Sequence, residues 1–132
     1  MSRILEGFVP DVQTDTWEAC YFDHSPMPDE FPDVVVRKGR YVVIVNGEPV
    51  TSAWTQDGNQ RASELAVETL PGFRRRGYGR QAVVAWAWSE TRANRVPFYS
   101  YELGNLPSEA LAKSLGVAHY ATFTSYSVRH SN

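Results

Sequence analysis

The chain has a single cysteine, Cys20, so no disulfide can form within it and no set of thiolates is available to a structural metal. Its three histidines, His24, His119 and His130, are dispersed and offer no zinc spacing. No apolar run approaches the roughly 20 residues that cross a bilayer, and the first residues lack the apolar stretch of a secretory signal, so a cytoplasmic location is expected. Net charge is small, −2 over 132 residues. With a pI near 5.9, the chain lacks the broad basic face that nucleic acids require, and neither a nucleic-acid nor a membrane partner is expected. What is present is ordinary globular composition, 42% hydrophobic and 21% charged. A single domain over residues 1–132 is expected from that length.

The small net charge conceals an asymmetry. Residues 1–70 carry 12 acidic against 5 basic side chains, a net −7, whereas residues 71–132 carry 3 against 8, a net +5. Four of those bases, Arg74, Arg75, Arg76 and Arg80, fall within seven residues. Such a cluster either attracts a compact anion or forms a solvated helix end.

Residues 1–33 are acidic and interrupted by proline, and the pattern there supports at most one short helix, about Asp15 to Phe22. From Arg40 the signals sharpen. Tyr41–Val45 is β-branched and aromatic, Asn46-Gly47 marks a type I′ turn, and Val50–Thr55 resumes as a strand. Pro49 cannot donate to a ladder, which places that end of the strand at an edge or a bulge. After Asp57-Gly58-Asn59 the stretch Ala62–Leu70 alternates as a third strand. Tyr78–Ala93 reads as a helix whose apolar run Ala82–Trp88 is covered on more than one side, with Trp86 and Trp88 packing. Val96–Tyr101 is a strand. Asn105–Leu115 is a shorter helix with Pro107 in its first turn and Gly116 as its stop, and Tyr120–Val128 is the last strand. The order β-β-β-α-β-α-β gives a mixed, largely antiparallel α/β sheet flanked by helices.

The chemistry is concentrated where the third strand meets the long helix, in Thr69-Leu70-Pro71-Gly72-Phe73-Arg74-Arg75-Arg76-Gly77-Tyr78-Gly79-Arg80. Gly77 and Gly79 let the main chain turn and approach a ligand closely, and the first amides of the helix have no intrahelical acceptor. With the helix dipole and the arginines, the junction is suited to a pyrophosphate. A Walker loop is excluded because Gly-Lys-Ser/Thr is absent. The dinucleotide fingerprint is excluded because Gln81-Ala82 follow Gly79 where a third glycine is needed.

What remains is Arg74-Arg75-Arg76-Gly77-Tyr78-Gly79, followed later by Asn105-Leu106-Pro107-Ser108-Glu109-Ala110-Leu111 and Leu115-Gly116. With these two motifs, the segment Glu64–Gly116 resembles the GCN5-related N-acetyltransferases, marked by Arg/Gln-x-x-Gly-x-Gly/Ala and then Asn-x-x-Ser/Ala-x-x-Leu. The resemblance implies an acyl-CoA N-acyltransferase fold, shortened at its N-terminus, with acetyl-CoA as co-substrate. It implies that residues 75–80, with Arg74 beside them, present amides and charge to the diphosphate of acetyl-CoA. It further implies that Leu65–Thr69, including Val67 and Thr69, pairs with the pantetheine arm as an added strand does. Asn105 and Ser108 then line the far side of the arm, where two strands splay apart. Residues 1–33 are a poorly defined acidic segment in place of the family's usual acceptor-binding elements, and residues 34–132 form the cofactor-binding core.

Many relatives carry a tyrosine just after the position of Leu111, where this chain has Ala112. An acid to protonate the departing thiolate must then come from Tyr99, Tyr101, Tyr120 or Tyr126, and Tyr120 is preferred because it follows the second helix. The base is expected to be Glu64 or Glu68, which share one face of their strand, with Glu68 slightly preferred because it adjoins the motif. An amide near Thr69 is expected to hold the oxyanion. Cys20 as an acyl-carrying nucleophile is the competing mechanism. Asp23-His24-Ser25 is no triad, since three consecutive residues cannot face one another. The expected activity is direct acetyl transfer from acetyl-CoA to a primary amine, cationic to suit the acidic half, with a homodimer as one way of completing the acceptor pocket. The alternative is a non-catalytic CoA-binding module or half-domain.

Overall fold

A computed structural model of the protein describes residues 11–28 and 33–129. In chain order these form β1 (Asp11–Tyr21), β2 (Val34–Arg37), β3 (Arg40–Val45), β4 (Glu48–Gly58), β5 (Ala62–Thr69), a 3-10 turn (Pro71–Phe73), α1 (Tyr78–Arg92), β6 (Val96–Glu102), α2 (Leu106–Leu115) and β7 (Ala118–Arg129). The strands make one sheet in the order β2-β3-β4-β5-β6-β1-β7. Only β5 and β6 run parallel; the other neighbours are antiparallel. The mixed, largely antiparallel class expected from the sequence is therefore found.

The local signals act as chemistry requires. Asn46 and Gly47 both adopt positive φ, 50° and 79°, which closes β3 onto β4 with the twist that a two-residue hairpin needs. Pro49 pairs with Ile44 where the β3–β4 register shifts, so the irregularity it demands is a bulge inside the sheet rather than an edge. In α2 the Asn105 side chain accepts from the Ser108 amide at 3.2 Å, and Gly116 ends the helix in the left-handed region.

The expectation of a helix at Asp15–Phe22 is overturned. Those residues lie in β1 and just after it. β1 is an inner strand, paired with β6 through Trp17–Tyr21 and with β7 along its whole length. Partners 77 to 118 positions away supply ladder bonds and bury Ala19 and Cys20, and this tertiary pairing outweighs the weak local preference. The first strand thus fills the slot between the last two. Residues 1–33 are correspondingly not one undefined segment: 11–28 are built into the fold, while 1–10 and 29–32 lie outside the described residues. β2 is a further strand that the sequence pattern did not separate from its surroundings.

Both helices cover the same face. Ala82, Val83, Val84, Trp86 and Ala87 of α1 pack with Val43, Val50, Ala53 and Leu65 from the sheet, and Ala112 and Leu115 of α2 complete that core. Trp86 is fully buried, and its indole N–H reaches Thr55 Oγ1 at 3.0 Å. Thr55 in turn donates to Glu90, a buried carboxylate that also accepts from Ser63 Oγ at 2.9 Å and pairs with Arg95. This network joins β4, β5 and the end of α1. Among the described residues no helix lies over the opposite face of the sheet.

Candidate functional site

Three features converge at β5. The first is a gap. The parallel ladder holds Ala62, Ser63 and Glu64 to Val96, Pro97 and Phe98, and its last pair is Glu64 with Phe98. Beyond that apex β5 stays with β4 while β6 turns to β1, so the two strands diverge. The Leu70 amide donates to Val50 O at 2.9 Å, which fixes the alternation of the β4–β5 ladder. Ser52–Glu68 and Trp54–Ala66 are then the bonded pairs, and Val67 and Thr69 turn their main-chain groups away from β4 into the gap. Leu65 O is taken by Gln56 Nε2 at 2.9 Å and Thr69 O by Arg74 Nε at 3.3 Å.

The second feature is the start of α1, which no side chain caps. Gly77 holds φ at 81°, and Arg75 is also left-handed at 64°, so the chain reverses sharply before the helix. Gly79 has a different reason for being glycine. A Cβ placed there meets only Thr69 Oγ1, at an ordinary 3.7 Å, so the protein's own packing does not exclude a side chain. A side chain there would instead stand over the free amides of the first turn. Arg74 is bonded to Thr69 and Arg76 lies over the Phe73 ring at 5.6 Å. Among the described residues the exposed Arg75 and Arg80 side chains have no partner. A helix start that is uncapped, unobstructed and flanked by guanidinium groups fits a diphosphate. It lies about 17 Å along β5 from the Glu64–Phe98 apex, counting five residues at strand rise.

The third feature is a cleft of about 680 Å³ on the helix-free face, beside the apex. Asp57, Glu64, Phe98, Tyr120, Trp17 and Phe123 are among its walls. Tyr120 reaches it because the β1–β7 register slips between Ala19 and Cys20, leaving Tyr120 as the extra residue of a bulge. Its ring meets Tyr21 and Phe98 edge-on, at 6.0 and 5.7 Å between centroids.

The catalytic candidates are thereby separated. Glu64 and Tyr120 line one cleft. Glu68 is on the same face of β5 but exposed, opposite Ser52 and outside the cleft, toward the start of α1. Tyr99 is buried on the helix side, its hydroxyl donating to Ser108 O at 3.3 Å, and Ala112 is core. Burial pushes both the Tyr99 and the Tyr101 hydroxyl above the ordinary tyrosine range. Tyr126 is exposed on the opposite face of the β1–β7 ribbon, paired with Thr14. Asn105 Oδ1 serves as the α2 cap and Ser108 supplies the capped amide, so both are engaged within the helix start. Cys20 is buried, and burial together with nearby Glu18 pushes its thiol up, away from the thiolate a nucleophile needs. Ser25 bonds to Thr91 at 2.8 Å, apart from the His24–Asp23 contact. Trp17, Asp57, Phe98 and Phe123 are the wall residues that sequence reading missed. Nothing local marks them, because they meet only through the register of four strands.

The model of the acetyltransferase (GNAT) family matches residues 7–117. Among curated proteins no sequence matches this chain. Among solved structures, an acetyltransferase of that family from Novosphingobium aromaticivorans superposes with a TM-score of 0.75 at 16% identity, over 86% of this chain and 64% of that one. A GCN5-related N-acetyltransferase-like protein from Streptococcus suis gives 0.69 at 15% identity, over 97% of this chain and 67% of that one. An acetyltransferase from Colwellia psychrerythraea gives 0.69 at 8%, over 97% and 61%. At such identities the structural likeness concerns the fold, and this chain spans about two thirds of the length of those proteins. The family match covers most of the sequence and includes both glycine-bearing and Asn-Ser motifs, and with the fold it places the chain in the acetyltransferase (GNAT) family.

Proposed function

We propose that the chain transfers an acetyl group from acetyl-CoA to a primary amine by direct attack, with both substrates bound at once. The observation that carries this reading is the alignment of the uncapped start of α1, the β5–β6 gap and the cleft along one strand. The amides of Tyr78, Gly79 and Arg80, with Arg75 and Arg80, hold the diphosphate. The gap-facing N–H and C=O of Val67 and the gap-facing N–H of Thr69 pair with the pantetheine amides. The thioester then lies toward the apex. There Val67 offers the nearer of the two gap-facing amides to the carbonyl oxygen, a donor closer to the chemistry than the Thr69 region expected from sequence.

Glu64 is in place to take the proton of the incoming ammonium, directly or through one water. The amine nitrogen bonds to the carbonyl carbon, the C–S bond breaks, and the leaving thiolate takes a proton from the Tyr120 hydroxyl, while the nitrogen gives up its second proton to solvent, from which Tyr120 is reprotonated. Glu68, exposed near the diphosphate end, has no part in these steps.

Two substitutions test the sequence of events. Tyr120→Phe keeps the ring and removes the proton, and it is expected to lower kcat by about 10–100-fold with acetyl-CoA affinity within about twofold. Cys20→Ala is expected to retain acetyl transfer, because no acyl-enzyme is formed. Steady-state thiol release across an amine panel reads both; a normal kcat for Tyr120→Phe retires it as the acid, and an inactive but folded Cys20→Ala restores the covalent route. The non-catalytic CoA-binding module is favoured only if acetyl-CoA binds and no amine releases thiol.

A further inference from the structure

The open face carries more than acetyl transfer alone demands. Across four strands runs a single row: Asp57 opposite Glu64, Glu64 beside Phe98, and Phe98 opposite Tyr21. Tyr120 folds onto the last two rings, and Trp17 and Phe123, directly opposite each other on β1 and β7, continue the aromatic wall. The row is therefore anionic at one end and aromatic along the rest. Like charges directly opposite across an antiparallel pair repel. Among the described residues neither carboxylate has a cationic partner; Asp57 accepts only from the Gly58 amide, at 2.8 Å. The rings are not buried either: Tyr120 is 50% exposed and Phe123 52%. The other carboxylates of that face, Glu68, Glu102 and Asp15, stand outside the cleft.

We propose that the acceptor is an amphipathic amine: a primary ammonium carried on an aromatic or similarly flat apolar body. Its cation lies between Asp57 and Glu64, where it relieves their repulsion, and its body lies against Phe98 and Tyr120. A cleft of 680 Å³ is of the size that holds such small molecules. A polyamine fits the geometry poorly, because beyond Asp57 and Glu64 its second and third charges would meet rings and no further carboxylate within the cleft lining. The inference rests on the acetyl-transfer reading for the fate of the amine, though not for its binding.

Calorimetric titration of the protein, with and without CoA present, tests it using 2-phenylethylamine, 2-phenylethanol and spermidine. The amine is expected to bind saturably, and the uncharged alcohol and the ring-free polyamine each at least about tenfold more weakly. Glu64→Gln and Phe98→Leu are each expected to weaken 2-phenylethylamine by about tenfold while leaving CoA affinity unchanged. Phe123→Leu, at an exposed position, replaces Phe98→Leu should that variant not fold. Spermidine binding as tightly as 2-phenylethylamine, or no saturable binding of the latter under either condition, overturns the proposal. Titration of acetyl-CoA into the same samples separates the two readings. Amine binding without acetyl-CoA binding contradicts acetyl transfer and supports the cleft assignment, and the converse contradicts the cleft assignment alone.

Discussion

Gly79→Leu is expected to abolish most of the acetyl-CoA affinity, by about 100-fold, while the unliganded protein remains as stable as before or becomes slightly more so. The two halves of that expectation have separate causes. Gly79 has no positive φ, and a Cβ there meets only Thr69 Oγ1 at 3.7 Å, so the fold accommodates a side chain. Leucine is also the better helix former by about 0.8 kcal/mol. The ligand has no such latitude. A leucyl side chain stands over the amides of the first turn, and losing one or two charge-assisted hydrogen bonds at about 1.5–3 kcal/mol each gives the stated loss. Thermal denaturation reads both halves at once, since saturating ligand raises the midpoint of the native protein by mass action. Gly77 is a poorer test, because its φ of 81° strains any replacement before a ligand arrives.

The second large effect concerns stability. Glu90→Ala removes the acceptor that Thr55, Ser63 and Arg95 share, at the point where β4, β5 and α1 meet. Breaking a fully buried pair costs about 3–5 kcal/mol. The Arg95 side chain is 35% exposed, so solvent screens part of the loss, and about 2–3 kcal/mol is expected. For a chain of this size that corresponds to a midpoint lower by roughly 6–12 °C. Glu90→Gln keeps an acceptor and is expected to lose less than half as much. A shift under about 2 °C for the alanine variant means the network contributes little. The network also anchors the end of β5 that carries Glu64, so the alanine variant is expected to lose acetyl transfer with temperature before it unfolds globally.

The elements held by local chemistry were legible in the sequence. Asn46-Gly47, Gly116, Pro107 and the apolar run of α1 each state their own conformation through φ preference or burial pattern, and the structure places them within a residue or two of expectation. β1 was illegible for the opposite reason. Its sequence, DVQTDTWEACY, puts apolar residues on both faces, and what makes it a strand is pairing with β7 at the far end of the chain. The site divides in the same way. The loop proposed to hold the diphosphate is contiguous, so the Gly77–Gly79 spacing makes it visible as a candidate. The cleft is assembled from β1, β4, β5, β6 and β7, and the bulge that aims Tyr120 into it exists only as a mismatch between two distant strands. Sequence alternation placed Glu64 and Glu68 on one face correctly, yet could not separate them, because the distinction is where the β5–β6 ladder stops.

The most direct test follows the amides themselves. In amide NMR spectra, titration with acetyl-CoA is expected to shift the resonances of Tyr78, Gly79 and Arg80 at the start of α1 together with Val67 and Thr69 along the gap, all with one saturation curve. Saturable binding that leaves these amides unmoved, or moves only residues on other elements, contradicts the account.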